Sequence, residues 1–284
     1  MNYRHAFHAG NFADVVKHVV LVRILTYLQR KPAALRVIDT HAGAGLYDLA
    51  SEEAQRTGEW RSGVGQLASI ASASPAGILL APYRALIADT PPHGPQLYPG
   101  SPKFVQALLR PTDRAIFCET QDDVRRSLSR AVGRDRRVKV LDLDGWTALR
   151  AFVPPPERRG LVLVDPPFES PDEFTRLANH FCEAFSKWPT GTFLLWYPVK
   201  TFAARDAFLS ALAARGAGKL LRVELGIAPV TEGAGLTRAG LIVANAPFVL
   251  AEEMRVMMHA LSAAMARTEG SVEDWTVAPV GAVP

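Results

Sequence analysis

Leu161-Val-Leu-Val164 is an unbroken apolar run that stops at Asp165-Pro166-Pro167-Phe168. Its length and branched side chains predict a strand buried on both faces. The prolines, which have no N–H to give to a ladder, end it at Asp165. A chain with such a strand is predicted to fold as an open α/β sheet, in which the groups just past the carboxyl ends of the strands line the ligand crevice. Asp165 and its neighbours are therefore placed where chemistry is done. The same string also serves as a plain proline turn, so the rest of the chain decides what the corner is for.

The N-terminal stretch gathers Tyr3, Arg4, His5, His8, Asn11, Asp14, Lys17 and His18. Apolar residues from Val15 to Leu28 recur every three or four positions, which predicts an amphipathic helix from Ala13 to about Gln29, with Asp14, Lys17 and His18 in its first turns. The histidines have no cysteine partners nearby and only loose spacing, so no metal site is predicted. A short strand, Leu35 to Asp39, then feeds the loop Thr40-His41-Ala42-Gly43-Ala44-Gly45. Glycines such as Gly43 let the backbone approach a nucleotide-type ligand closely. The third glycine of a dinucleotide fingerprint is missing. The looser Asp-x-x-x-Gly-x-Gly pattern suits S-adenosylmethionine, which has no pyrophosphate to cradle.

A compact βα unit reaches its second strand after about 30 residues, whereas the next convincing strand here is Arg114 to Glu119. The helix opening at Ser101, read as its N-cap with Pro102 in the first helical position, takes the place of the crossover. Residues 47–97 are then predicted to form an inserted small helical subdomain of two or three helices, with a Pro-Gly-rich exit at Pro91 to Pro95. Residues 1–46 and 98–284 are predicted to form a Rossmann-like domain. Ser101, capping a helix aimed at the cofactor crevice, is placed to bind a carboxylate. Glu119 ends the second strand, where related sites keep an acid for ribose hydroxyls.

A helix over Asp122 to Val132 and a strand from Arg137 to Leu141 lead to Asp144-Gly145. Asp144 is suited either to accept from an adenine amino group or to cap the next helix. A helix from Asp172 to Lys187, a strand from Thr192 to Tyr197, and a helix from Asp206 to Arg215 follow. Two β runs, Leu220 to Ile227 and Ala239 to Ala244, are joined by a link too short for a crossover, which predicts an antiparallel hairpin. An antiparallel last strand on an otherwise parallel sheet is the methyltransferase variant of the doubly wound fold. A helix from Leu250 to Ala266 and a polar tail complete the chain.

An exocyclic adenine amine is a weak nucleophile because its lone pair is delocalised into the ring. Two acceptors on its hydrogens would turn that lone pair toward a sulfonium methyl. The Asp165 carboxylate and the Pro166 carbonyl can supply them, while the Phe168 ring stacks on the base. An aspartate is ordinarily a weak base, which favours orientation and charge stabilisation with late proton loss. The base must leave its stack to reach such a corner. A net charge of +4 permits a nucleic-acid partner without requiring one, and Arg4, Lys17, Arg56, Arg61, Arg84 and Lys103 fall in segments near the proposed mouth. Two cysteines, Cys118 and Cys182, make no disulfide framework. No apolar stretch reaches the ~20 residues of a membrane span, so a soluble, cytoplasmic protein is expected.

The strings Tyr3-Arg-His-Ala-Phe-His-Ala-Gly-Asn11, Asp39-Thr-His-Ala-Gly-Ala-Gly45, Tyr98-Pro-Gly-Ser-Pro102, Asp144-Gly145, Asp165-Pro-Pro-Phe168 and Trp196-Tyr-Pro198 are read together. They resemble the bacterial 23S ribosomal RNA (adenine(2030)-N(6))-methyltransferase family, RlmJ type, over essentially the whole chain. The resemblance implies a class I, Rossmann-like, S-adenosylmethionine-dependent methyltransferase with an inserted helical subdomain, acting on one adenine of large-subunit RNA. Carried over by position, it implies cofactor contacts at Lys17 or His18, His41, Ser101, Glu119 and Asp144 with Gly145. It implies a catalytic acid-base role for Asp165 and RNA contact at Tyr3, with Arg4 beside it. Many relatives carry Tyr where this chain has Phe168, which keeps the stacking surface and lacks the hydroxyl. Rival readings are methylation of DNA adenine or protein glutamine, for which the same corner serves, and a non-catalytic RNA-binding module, against which Asp165 argues. A monomer is expected.

Overall fold

The computed structural model describes residues 4–90, 96–216, 218–231, 233, 235–267 and 274–281. A 3-10 turn at His5–Phe7 precedes α1 (Phe12–Leu28), and β1 (Arg36–Asp39) ends at the glycine loop. The segment that follows carries β2 (Leu46–Asp48), α2 (Glu52–Thr57), two 3-10 turns, α3 (Pro75–Ala88) and β3 (Leu97–Pro99). Then α4 (Ser101–Leu108), β4 (Arg114–Cys118), α5 (Asp122–Val132), β5 (Val138–Leu141), α6 (Gly145–Phe152) and β6 (Gly160–Val164) alternate. The chain continues through α7 (Glu173–Lys187), β7 (Thr192–Pro198), α8 (Phe202–Ala214), β8 (Leu220–Gly226), β9 (Arg238–Ala244), α9 (Leu250–Met265) and β10 (Trp275–Pro279).

Eight strands form one sheet in the order β10-β8-β9-β7-β6-β1-β4-β5. From β7 to β5 all neighbours are parallel, and β9 slots antiparallel between β7 and β8. Alternate strand residues face opposite layers, as the two-residue period of a strand requires. Val37, Phe117, Leu161, Leu163 and Leu194 pack under α1, α3, α4 and α9. Ile38, Val162, Val164, Phe193 and Leu195 pack under α6, α7 and α8. Every residue of β6 is buried, so the strand is covered on both faces as its unbroken apolar run demands.

Four features differ from the sequence reading. The spacing in α1 predicts one apolar face, yet the helix is buried on nearly all sides, Asp14, Lys17 and His18 included. It lies against the sheet and also against α3, α4 and α9, so its polar residues point into the protein. Helix α8 starts at Phe202, four residues before Asp206, because the Thr201 side chain accepts from Ala204 N–H and sets the start there. The segment after α9, read as a polar tail, includes β10, which pairs antiparallel with β8 and becomes the edge strand in its place. Helix α4 is preceded by Gly100 as its cap, and Ser101 is its first helical residue. Residues Pro91 to Pro95, read as a turn-rich exit, lie outside the described residues.

The segment between β1 and α4 is closed at its base by β2 and β3, which pair antiparallel with Tyr47 opposite Tyr98. Its longest helix, α3, sends Ala76, Leu80 and Tyr83 into the same cluster as α1 and α9.

Candidate active site

Strand register sets the floor of the site. Asp39 lies level with Leu163 on one side and Phe117 on the other, so His41, Asp165 and Glu119 all stand just past the carboxyl ends of three adjacent strands. The loop after β1 is tied across this edge by Thr40 N–H to the Leu163 carbonyl and by Ala42 N–H to the Cys118 carbonyl. Asp165 follows Val164, which pairs with Leu195, so its neighbour on β7 is Trp196.

Helix α1 delivers a cation to that corner. Lys17 Nζ lies 2.6 Å from Asp165 Oδ2 and 2.9 Å from Asp14 Oδ1. Burial works against the Lys17 ammonium, but Asp14 and Asp165 outweigh it and hold its pKa well above the usual lysine value. Burial likewise opposes the Asp14 carboxylate, yet His5, Lys17 and His18 hold its pKa well below the usual range. Asp14 also accepts from Gly10 N–H and contacts His5 Nε2, both at 2.9 Å. His5, Asp14, Lys17 and Asp165 thus form one polar chain running from the N-terminal turn to the corner. The sequence reading assigned no role to His5 or Asp14, although Asp14 one helical turn before Lys17 is a visible sign of an ion pair.

The crevice side is built from β1, β4 and α4. Asp39 is fully buried; its Oδ2 accepts from Ser101 Oγ at 2.7 Å and its Oδ1 from His41 N–H at 3.3 Å. Burial pushes the Asp39 carboxyl up to about 7. The Ser101 hydroxyl is therefore engaged with Asp39 and caps nothing. Glu119 Oε2 accepts from Gly43 N–H at 3.1 Å and its Oε1 from Gln121 N–H at 2.8 Å, so the loop and the β4 terminus share one carboxylate. Burial raises the Glu119 pKa as well. His41 Nδ1 pairs with Thr40 Oγ1 at 2.8 Å, and burial lowers its pKa to about 4, which leaves the ring neutral. A side chain on Gly145 would meet the Thr40 carbonyl at 2.5 Å and His41 Cε1 at 2.6 Å, so only glycine lets α6 approach the loop this closely. Asp144 caps α6: its Oδ2 accepts from Thr147 N–H at 2.9 Å, the second of its two sequence readings.

His18 is wholly buried. Its Nδ1 pairs with Tyr98 OH at 2.7 Å, Tyr98 OH lies 2.9 Å from Tyr83 OH, and its Nε2 has no partner among the described residues. Burial holds its pKa well below the usual histidine value. On the far wall, Phe168 meets Phe174 at 4.9 Å and Trp196 at 5.7 Å between ring centroids, and Pro166 is buried.

The basic residues divide. Lys17 is consumed in its ion pairs. Arg84 donates to the Leu67 and Ile70 carbonyls, and Lys103 to Gln106 and the Ala131 carbonyl, so both brace structure. Arg4, Arg56 and Arg61 remain exposed, with Arg4 3.9 Å from Asp123. Tyr3 lies outside the described residues. Among the described residues no group of three His, Cys, Asp or Glu is arranged to hold a metal, and no helix is long and apolar enough to cross a membrane.

A parallel sheet with one strand slotted antiparallel near its end, and a glycine loop crossing the carboxyl edge of β1, is the class I methyltransferase fold. Within that class the chain belongs to the RlmJ family of ribosomal RNA large subunit methyltransferases. The family model described as "Ribosomal RNA large subunit methyltransferase D, RlmJ" matches residues 32–277. The chain is similar to Ribosomal RNA large subunit methyltransferase J of Haemophilus influenzae, with 36% identity over 98% of each chain. It is similar also to the Escherichia coli protein of that name, with 35% identity over 98% of this chain and 99% of that one. The crystal structure of a Legionella pneumophila protein, 31% identical, matches 96% of this chain and 99% of its own with a TM-score of 0.86.

Proposed function

We propose that this protein transfers a methyl group from S-adenosylmethionine to the N6 amine of one adenine in 23S ribosomal RNA. The observation that carries the reading is the Asp165-Pro-Pro-Phe168 corner at the end of β6, with Asp165 anchored by Lys17 at 2.6 Å. The names of the relatives support ribosomal RNA of the large subunit as the substrate class.

The donor set fits the cofactor. Glu119 accepts from the backbone N–H groups of Gly43, Gln121 and Thr120, which leaves capacity on the carboxylate for a ribose hydroxyl. Gly43 and Gly145 let Tyr47 and α6 pack tightly against the loop and so fix its path, and Ser101 with Asp39 forms the polar floor. His18 Nε2, buried without a partner among the described residues, is a polar atom that a bound group would satisfy. His41, with Asp144 and Gly145 beside it, completes that wall. When bound, S-adenosylmethionine supplies an electrophilic methyl on its sulfonium sulfur.

On the substrate side, Lys17 fixes one Asp165 oxygen, and the other, which has no partner among the described residues, accepts from an amino hydrogen of the base. The Pro166 carbonyl accepts from the second hydrogen, and Phe168 stacks on the ring. These contacts turn the nitrogen lone pair out of the ring plane and hold it in line for attack. In the transfer the methyl carbon would exchange its bond to sulfur for one to the amine, with the neutral thioether S-adenosylhomocysteine as leaving group, and the Asp165 carboxylate would stabilise the cationic amine and take its proton afterwards. Tyr3 and Arg4 serve as contacts for the RNA around the flipped base, with residues 47–97 as a helical subdomain forming the wall opposite.

The test is transfer of labelled methyl into large-subunit RNA lacking the modification. Label is expected in one adenine; label in DNA or protein and none in RNA would overturn the reading. Asp165→Ala is expected to lower the rate at least about a hundredfold while cofactor affinity stays within a few-fold.

A further inference from the structure

Strand β7 runs past β6 at the carboxyl edge. Asp165 sits beside Trp196, and β7 continues through Tyr197 to Pro198 before α8 opens at Phe202. Residues Lys200 to Ala204 are all exposed, and Phe202 is 46% exposed, one of few large apolar side chains so open among the described residues. Phe202 thus presents part of its ring to solvent at the end of the strand that passes the corner.

The ring is held in a fixed setting. The Arg205 guanidinium lies 4.7 Å and that of Arg238 5.8 Å from its centroid. Both arginines are locked from below by the fully buried Glu224, whose Oε2 accepts from Arg238 Nε at 3.1 Å and from Arg205 Nη1 at 3.2 Å. Glu224 Oε1 accepts from Tyr197 OH at 2.7 Å, and Tyr197 packs on Phe174, which touches Phe168. A continuous run of packed side chains therefore joins the substrate corner to the Phe202 ring. The extended span from Trp196 to Phe202 is at most about 20 Å. Arg205 and Arg238 are offset by Glu224, Asp206 and Asp274, whereas Lys200 has no ion-pair partner among the described residues.

A half-open aromatic ring with an exposed lysine two residues before it, unpaired among the described residues, matches what single-stranded nucleic acid binds. A base stacks on the exposed ring and the lysine takes the adjoining phosphate. We propose that Phe202 is a stacking platform for an unpaired nucleotide of the RNA substrate, a few positions along the strand from the methylated adenine, with Lys200 as its phosphate contact. The platform rests on the reading of the corner as an RNA adenine methyltransferase site. It adds a second point of grip that fixes which adenine reaches Asp165.

The test compares Phe202→Trp, Phe202→Leu, Phe202→Ala and Lys200→Ala with the wild-type protein on a large-subunit RNA fragment containing the target adenine. Wild-type transfer to that fragment tests the underlying reading separately; if it is absent, that reading fails and the platform with it. Where wild type is active, Phe202→Ala and Phe202→Leu are expected to lower kcat/KM for RNA about tenfold or more, chiefly through KM. Phe202→Trp should keep wild-type values, and cofactor affinity should stay unchanged in all four. The Phe202 losses should persist at raised salt, because stacking carries no charge, while the Lys200→Ala loss should shrink. A Phe202→Leu protein as active as wild type, or Phe202→Ala losses confined to kcat, would overturn the platform while leaving the methyltransferase reading standing.

Discussion

Two buried carboxylates near the corner meet opposite fates, and the difference is a matter of single atoms. Asp14 faces Lys17, His5 and a backbone N–H, so its charge is stabilised despite full burial. Asp39 has only a hydroxyl and one long N–H contact, so burial wins and raises its carboxyl from 3.8 to about 7. A carboxyl raised on folding binds its proton more tightly in the folded chain than in the unfolded one between those two values. Its stabilising contribution is present below about 4 and is lost as pH rises to about 7, beyond which it stays constant. About three pK units correspond to a loss on the order of 4 kcal/mol. Asp39→Asn removes the titration while keeping an oxygen for Ser101. The variant is therefore expected to lose less stability than the wild type between pH 4.5 and pH 8, and to be the more stable protein at the upper end, by denaturant unfolding. Parallel curves for the two proteins would show that Asp39 is ionised throughout.

At the scale of elements, the decisive contact lies between the 3-10 turns after α2 and the start of α1. Val64 N–H donates to the Gly10 carbonyl at 2.8 Å, and Glu59 accepts from Asn11 Nδ2 at 3.0 Å and pairs with His8 Nδ1 at 3.1 Å. A side chain on Gly63 would meet the Gly10 carbonyl oxygen at 2.2 Å and the Asn11 carbonyl carbon at 2.5 Å, which are backbone atoms that cannot swing aside. Gly10 and Asn11 are the groups that hold and cap Asp14, and Asp14 holds Lys17. Gly63→Ala is therefore expected to cost about 1–3 kcal/mol of stability and to lower methyl transfer by displacing Lys17 from Asp165. Gly65→Ala is the comparison, since its nearest new contact is 3.2 Å away. Equal activity in the two variants would show that the turn does not set the position of α1. Of this, only the spacing of Asp14 and Lys17 was legible in the sequence. Helix α5 and strand β6 could be read because their signals are local: acids in the first turn, an unbroken apolar run, two prolines. The pairing of Lys17 with Asp165 spans 148 positions and has no local signature. The burial of α1 on all sides depends equally on three helices that arrive later in the chain.

For the molecule as a whole, β10 decides which strand forms one edge of the sheet. Its five residues, Trp275 to Pro279, pair with Leu225 to Leu221 of β8, and Val277 enters the main core. A run so short, ending in proline, reads as tail in a sequence, because what makes it a strand is a partner some fifty residues earlier. The partner would otherwise offer a row of unpaired backbone groups on a strand that is apolar on its inner face, a template for association between copies. Asp274, just ahead of β10, also pairs with Arg238, one of the two arginines beside Phe202. Removing residues 268–284 therefore exposes the β8 edge and frees Arg238 on one side, while the corner at Asp165, four strands away in sheet order, keeps its own contacts. The expected outcome is a lower Tm, faster amide exchange along Leu221 to Leu225 and concentration-dependent association by light scattering, with cofactor affinity retained. A truncated protein that stays monodisperse with unchanged exchange in β8 would show that the sheet is complete without its last strand.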